Sequence, residues 1–375
     1  VVVKVGSGVL TGPQGLDLAR VVDLAGQIAR LAARGRQVVL VSSGAIASGA
    51  AKLRPGFVPA SIPEKQAAAA LGQARLMQAY EEAFAAHQLK VAQVLLTAGD
   101  LRQRQRYLNA RNTLFTLLDW GVIPVINEND TVAVEEIKLG DNDNLAATLT
   151  NQLGADLLIN LTNVDGILDA DPRLKPAARR IPLVQKVKPA LLKLASAQPG
   201  AVGRGGILSK VKAAEKAARC GAHTIVANGK LDGVLDRLVA GEDLGTLFMP
   251  HSARLTARKA WIAFDAKPAG ELVVDEGAVR PLCEGGKSLL PAGVREVRGR
   301  FSQGQAVRVL GPGGVVLGVG LCNYASAELE KIKGLRSGEI QARLGYKDFD
   351  EVIHRDNLVV FDLEDEESVA CLLSS

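Results

Sequence analysis

Short apolar runs alternate with longer amphipathic stretches over the first two thirds of the chain. Val1–Val5, Gln37–Val41, Val91–Leu96, Val122–Ile126, Leu157–Leu161 and Thr224–Ala227 are apolar at most positions and flanked by turn residues. That pattern predicts short, buried strands. Leu16–Arg34, Glu64–His87, Arg111–Trp120 and Ile207–Cys220 predict helices, and Leu145–Leu153 a further one. Strands apolar on both faces and separated by helices imply a parallel sheet covered on both sides. After Arg258 the texture changes to short β-like pieces with glycine turns, including Glu271–Val274, Ala306–Leu310 and Val315–Val319. The expected division is an α/β domain over 1–255, a linker over 256–268 and a small, mostly β domain over 269–350. Residues 351–375 then form a C-terminal tail whose acidic run, Asp362 to Glu367, is solvated.

Composition sharpens this picture in a few places. The 375 residues leave room for two domains. Aromatic residues make up only 4%, so the core is built from Ala, Val and Leu, which suits helices layered on a parallel sheet. No apolar run approaches the ~20 residues of a membrane span. The start at Val1 has a strand pattern rather than a signal peptide, and without an initiator Met a few N-terminal residues are expected to be missing. Cys220, Cys283, Cys322 and Cys371 are far apart, as are the histidines, which predicts neither a zinc site nor a disulfide framework. Reduced thiols in a cytoplasm are the economical reading. The formal charge of +5 permits an anionic substrate or a nucleic acid and demands neither.

Candidate chemistry gathers at predicted strand ends. Asn127-Glu128-Asn129-Asp130 closes the apolar run Val122–Ile126, and Gly140-Asp141-Asn142-Asp143-Asn144 opens the helix that follows. In open α/β sheets, ligands bind beyond the carboxyl ends of the strands. Amides there can hydrogen-bond both ends of a small zwitterion, and carboxylates can hold an ammonium group or orient lysines and Mg²⁺. Four further segments suit phosphate. Lys4-Val5-Gly6-Ser7-Gly8 places a lysine before a glycine-containing turn, and Ser42-Ser43-Gly44-Ala45 leads from a strand into a helix. Leu161-Thr162-Asn163-Val164-Asp165-Gly166 follows another strand. Gly203-Arg204-Gly205-Gly206-Ile207-Leu208-Ser209-Lys210 opens a long helix with glycines, a serine and a lysine. Each of these alone also reads as an ordinary cap or turn. Gly286-Lys287-Ser288 imitates a P-loop, but Pro281 replaces its first glycine and no long helix is predicted after it.

Taken in order, these segments resemble the amino acid kinase family, in the branch that phosphorylates L-glutamate and carries a C-terminal PUA domain. The resemblance covers essentially the whole chain. It is most specific at Ser43–Ala47, Val125–Asp130, Gly140–Asn144 and Val274–Ala278. It implies an α/β/α sandwich with a mainly parallel central sheet, plus a small, mostly β, PUA-like domain. The implied reaction transfers the γ-phosphoryl of ATP, with Mg²⁺, to the side-chain carboxylate of L-glutamate, for proline synthesis. It further implies feedback inhibition by proline and a homo-oligomer, dimer or tetramer.

Position by position, the resemblance makes Lys4 and Lys210 the pair that neutralises the transferred phosphoryl, with Asp143 orienting both. Ser43, Gly44, Asn127, Asp130 and Asn142 become the glutamate-binding residues. Lys4, Thr162, Asn163 and the stretch Arg204, Gly205, Gly206, Ile207, Leu208, Ser209 and Lys210 become the ATP-binding ones. No protein metal ligand is implied, because Mg²⁺ usually rides on the phosphates. The chain departs from the family pattern at Asn163 (usually Asp), at Arg204 and Ile207 (usually Thr and Met in Thr-Gly-Gly-Met) and at Gly8 (often Ser or Thr). These departures bear on nucleotide binding rather than on the reaction class.

Physical chemistry agrees with that assignment. A carboxylate is already a nucleophile at neutral pH, so such a site needs no general base. It needs two anions held in line and charge stabilised on the equatorial oxygens, for which lysines and backbone amides suffice. PUA domains often bind RNA, yet 269–350 holds 11 Lys/Arg against 10 Asp/Glu, a net of 11 − 10 = +1. Arg295, Arg298 and Arg300 form its only local basic cluster, with Phe301 as its aromatic neighbour. RNA binding is therefore disfavoured, and a structural or regulatory role is expected. The rival readings are a kinase for another small acid, and an RNA-binding protein with a vestigial kinase domain.

Overall fold

Period-two alternation along the strands decides which face of the main sheet each polar side chain meets. In the computed structural model, which describes residues 1–12, 15–54, 56–133, 142–170, 175, 177–196, 206–251 and 255–361, the chain divides into two compact units, Val1–Arg254 and Leu255–Ser375. Among the described residues, no helix is long and apolar enough to cross a membrane.

The first unit is built on an eight-stranded sheet. Its strands are β1 (Val2–Val5), β2 (Val39–Ser42), β3 (Val91–Leu96), β4 (Ile123–Glu128), β5 (Leu157–Thr162), β6 (Leu183–Val184), β7 (His223–Asn228) and β8 (Thr246–Phe248). They lie in the order β3-β4-β2-β1-β5-β7-β8-β6, and every pairing is parallel except β7 with β8. From β1 the chain passes to β2 and then to the edge strand β3, fills the place between them with β4, and returns to the other side of β1 with β5. The reversal between β1 and β5 is a topological switch point, where a crevice opens at the carboxyl ends of the strands.

Val3 and Val5 of β1, Leu40 of β2, Val125 of β4 and Ile159 and Leu161 of β5 belong to one apolar core. Helices α1 (Leu18–Ala33) and α3 (Ile62–Ala85) supply its other half through Leu24, Ile28, Leu76, Tyr80 and Phe84. Helix α3 starts on a capping box: the Ser61 side chain accepts from the Glu64 N–H while the Glu64 carboxylate accepts from the Ser61 N–H. Helix α2 (Ala45–Leu53) crosses α3 at unusually short range. A Cβ on Gly49 would stand 1.8 Å from the Ala68 carbonyl oxygen, and one on Gly72 1.8 Å from that of Ala45. Only glycine at both positions allows this approach. Further helices include α4 (Arg104–Asp119), α5 (Asn142–Leu153) and α6 (Ile207–Arg219), of which α5 and α6 pack together and against the sheet.

The second unit carries a five-stranded sheet, β9 (Gly270–Val274), β10 (Val294–Gly299), β11 (Ala306–Leu310), β12 (Val316–Leu321) and β13 (Leu358–Val360), in the order β10-β9-β11-β12-β13. Two expected boundaries are corrected here. Residues 256–268 do not form an open linker: they carry helix α7 (Ala257–Phe264), capped by Thr256 and burying Ala260, Trp261, Ile262 and Ala263 against β12 and β13. Nor does the small domain end near Asp350. Strand β13 pairs with β12, and Val352, Ile353, Leu358 and Phe361 are buried. A helix of eight residues and a strand of three are too short to produce a clear period among charged neighbours. Gly140, Asp141, Arg204, Gly205, Cys371 and the acidic run Asp362 to Glu367 lie outside the described residues.

Candidate functional site

Because Val3 and Val5 face the core, Lys4 points to the opposite face of the sheet, and Asn160 of β5 does the same between Ile159 and Leu161. The parallel register sets Lys4 directly beside Asn160. Above them lies the first turn of α5, which carries Asp143 with no exposure at all. Each oxygen of this carboxylate receives two donors. Lys4 Nζ lies 2.5 Å from Oδ1, and Asn160 Nδ2 donates to the same oxygen at 2.9 Å. Ser209 Oγ donates to Oδ2 at 2.6 Å, and Lys210 Nζ lies 3.2 Å from it. Both lysines are themselves buried, about 5% exposed. Ser209 also lies 2.8 Å from the Gly206 carbonyl, but it has one proton, and the charged acceptor makes the shorter bond.

Burial alone pushes the Asp143 carboxyl up. The charges of Lys210 and Lys4, with hydrogen bonds from Lys4 and Ser209, outweigh it and hold the group far below the usual carboxylate range. Asp143 is thus a permanent anion with its oxygens saturated, fit to aim two ammonium groups and unfit to act as a base. Two ammonium groups converge there, and such a focus of buried positive charge favours an incoming anion.

A second cluster forms across the sheet's carboxyl edge. Asn127 shares a face with Ile123 and Val125, and so meets α3. Its Nδ2 donates to Gln73 Oε1 at 3.0 Å, and its Oδ1 accepts the Glu128 backbone N–H at 2.9 Å. Asn142 Nδ2 bridges the clusters' near ends, donating to Asn127 Oδ1 at 3.1 Å and to Ser43 Oγ at 2.9 Å. Ser43 is tied down by its own N–H, which donates to Val5 O at 3.1 Å. Gly44 follows with φ +108°, a left-handed turn that starts α2. Beneath it, Ser42 Oγ and Tyr80 OH are 2.9 Å apart. Asp130 is half-buried beyond the end of β4.

Thr162 and Asn163 close β5 at the same edge, with Thr162 Oγ1 3.4 Å from Asn163 Oδ1. A Cβ on Gly8 would lie 3.6 Å from the Asn163 side chain, so two of the departures from the family pattern face one another. Gly206 is the N-cap of α6 and has no side chain to cap the first turn. The N–H groups of Ile207, Leu208 and Ser209 therefore point toward an anion's natural position, while Lys210, one residue on, reaches Asp143.

Gln73, Asn160 and the Gly49–Gly72 crossing carried no expectation from the sequence, nor did the bond that Ser209 donates to Asp143. A polar residue inside an otherwise apolar strand was the available signal for Asn160. Among the described residues, no group of His, Cys, Asp or Glu is arranged to hold a metal ion. In the second unit, Arg298 pairs with Glu296 and Glu271, Arg308 with Glu271, and Arg295 with Asp275. Phe301 is buried and offers no ring to a nucleic acid base.

Comparison with known proteins matches residues 1–228 to the amino acid kinase family and residues 270–344 to the PUA domain. The chain is 54% identical over 361 residues to glutamate 5-kinase from Pelobacter propionicus, covering 96% of this chain and 97% of that one. It is 52% identical over 361 residues to glutamate 5-kinase from Geobacter sulfurreducens, covering 96% and 97%. The glutamate 5-kinase from Meiothermus ruber is 52% identical over 355 residues, covering 95% and 94%.

Proposed function

The chain belongs to the amino acid kinase family, and on that premise we propose that it transfers the γ-phosphoryl group of ATP to the side-chain carboxylate of L-glutamate. The product is L-glutamyl 5-phosphate, the first intermediate of proline synthesis. The observation that carries the reading is the buried Lys4–Asp143–Lys210 bridge beside a cluster of amides. Lys4 and Lys210 draw the transferred phosphoryl and the accepting carboxylate together and spread its charge, while Asp143 fixes both ammonium groups. The accepting carboxylate is already ionised, which fits a site whose buried Asp143 stays an anion rather than taking a proton.

Ser43, Gly44, Asn127, Asp130 and Asn142 hold the amino acid's backbone groups in this reading. The ATP phosphates lie along Arg204 to Lys210 at the start of α6, with Thr162 and Asn163 beside the nucleotide. Mg²⁺ bound to the phosphates would supply further charge neutralisation. Asp143 fits no direct role toward it, since both its oxygens are filled by nitrogen and hydroxyl donors. Proline, a zwitterion of similar head group, would inhibit by competing for the same amides. A cytoplasmic homo-oligomer completes the proposal, with the PUA unit in a structural or regulatory role.

The test is ATP- and Mg²⁺-dependent acyl phosphate formation, trapped with hydroxylamine, from L-glutamate, L-aspartate and N-acetylglutamate in parallel. Hydroxamate from glutamate above the other two is the expected result. Preference for another acid would move the chain to a different branch of its family. Folded protein that yields none from any acid would overturn the enzyme reading.

A further inference from the structure

Among the described residues, the amide cluster leaves one donor and one acceptor buried without partners, and their orientation follows from a single backbone group. Glu128 N–H can only donate, so the Asn127 atom it meets is the oxygen. The other end of Asn127 is then the donor, so Gln73 must turn its oxygen toward it. Asn142 likewise must offer nitrogen to Asn127 Oδ1. The three amides Gln73, Asn127 and Asn142 are thereby fixed by the one backbone N–H. What remains is Gln73 Nε2, a buried donor, and Asn142 Oδ1, a buried acceptor, neither with a hydrogen-bond partner among the described residues. Such groups are costly unless something supplies the missing bond.

We infer that Gln73 is a specificity-determining residue of the amino-acid site, its Nε2 donating to the α-carboxylate of the bound substrate while its Oε1 locks Asn127. The inference rests on the proposed glutamate reaction. Asn142 is the neighbour of Asp143 in sequence, so its end of the cluster adjoins the lysines, where the γ-carboxylate must react. Gln73 stands two amides further along the same relay, from Asn142 through Asn127. The group it meets is therefore the far carboxylate, and the acceptor Asn142 Oδ1, on the side of the lysines, is left for an ammonium. Gly72 provides the access: without a side chain there, α3 closes on Ala45 and brings Gln73 to the sheet edge.

The experiment compares L-glutamate with L-isoglutamine, whose α-carboxylate is an amide and whose γ-carboxylate is intact. Wild type, Gln73→Glu and Gln73→Ala are assayed by ADP release and, for binding without turnover, by calorimetry. Gln73→Glu keeps the acceptor for Asn127 and replaces the donor by an anion. It should raise KM for glutamate tenfold or more, about the effect of losing a hydrogen bond to a charged group. The KM ratio of isoglutamine to glutamate should fall at least about tenfold, because the new carboxylate can accept from the amide NH₂. KM for ATP should stay within about twofold. Gln73→Ala, which adds no charge, should also raise KM for glutamate roughly tenfold. Unchanged glutamate KM in both variants, or an unchanged isoglutamine-to-glutamate ratio in Gln73→Glu, overturns the assignment. If wild type turns over neither acid, the reaction itself fails, and the calorimetric ratio alone decides the Gln73 contact.

Discussion

Asp143→Asn is an isosteric change that removes one charge from between two buried lysines. At an effective dielectric of about 20, separations of 2.5 and 3.2 Å correspond to roughly 5–7 kcal/mol of attraction for each pair. Most of that offsets the cost of desolvating three ions, so the wild-type bridge itself adds little net stability. Removing only the anion is different, because two ammonium groups at about 5% exposure lose the carboxylate they share. The expected loss is about 3–5 kcal/mol, as for other broken buried pairs. For a unit of this size that is a fall of roughly 10 °C in its thermal transition. Phosphate groups can replace the missing charge, so a non-hydrolysable ATP analogue should raise the variant's transition by more than it raises the wild type's. Urea and thermal unfolding, with and without the analogue, read both effects. A variant within 1 kcal/mol of wild type, or equally responsive to the analogue, would refute the reasoning.

The same carboxyl sets a pH dependence. Its folded-state pKa is depressed, so its contribution is complete above the unfolded value of about 4 and is lost as pH falls from there through the folded value. Wild type should therefore lose stability below about pH 4 more steeply than Asp143→Asn in urea midpoints; parallel acid limbs would contradict this. Gly72→Ala places a methyl 1.8 Å from the Ala45 carbonyl and 2.4 Å from the Gly49 nitrogen, so α2 and α3 must separate. The expected cost is about 3 kcal/mol or more, with a raised KM for glutamate because Ser43 and Gly44 precede α2; a neutral variant would show that the crossing is loose. Burial pushes the Cys322 thiol up to about 12, against smaller opposing effects from the Tyr324 and Asn323 backbone. At pH 8 only about one thiol in ten thousand is ionised, so iodoacetamide should spare Cys322 in native protein and label it after denaturation, by peptide mass mapping.

The strands and most long helices of the first unit were legible because each is long enough for its period to emerge above single substitutions. The site was legible where polar residues cluster at a strand end, as at Asn127–Asp130, since nothing in a plain turn requires so many side-chain amides. Helix boundaries were less so: α5 begins at Asn142, three residues before its apolar stripe, which puts Asn142 and Asp143 in its first turn. Gln73 was hidden because a glutamine in an alanine-rich helix is ordinary locally, and only the glycine crossing beside it brings it to the site. Asn160 was passed over within an apolar run. Its meaning depends on register with Lys4, a relation between strands that are distant in sequence. Helix α7 and strand β13 show the complementary limit, where packing rather than periodicity organises short charged segments.

In the proposed reaction two buried lysines, aimed by one carboxylate, carry phosphoryl transfer to the γ-carboxylate of glutamate. Its most direct test is the kinetics of Lys210→Ala, with γ-glutamyl hydroxamate identified by mass spectrometry. Loss of a preorganised charge contact should lower kcat at least about a hundredfold, with KM for glutamate little changed and the fold retained. A folded Lys210→Ala protein with wild-type kcat would contradict the account.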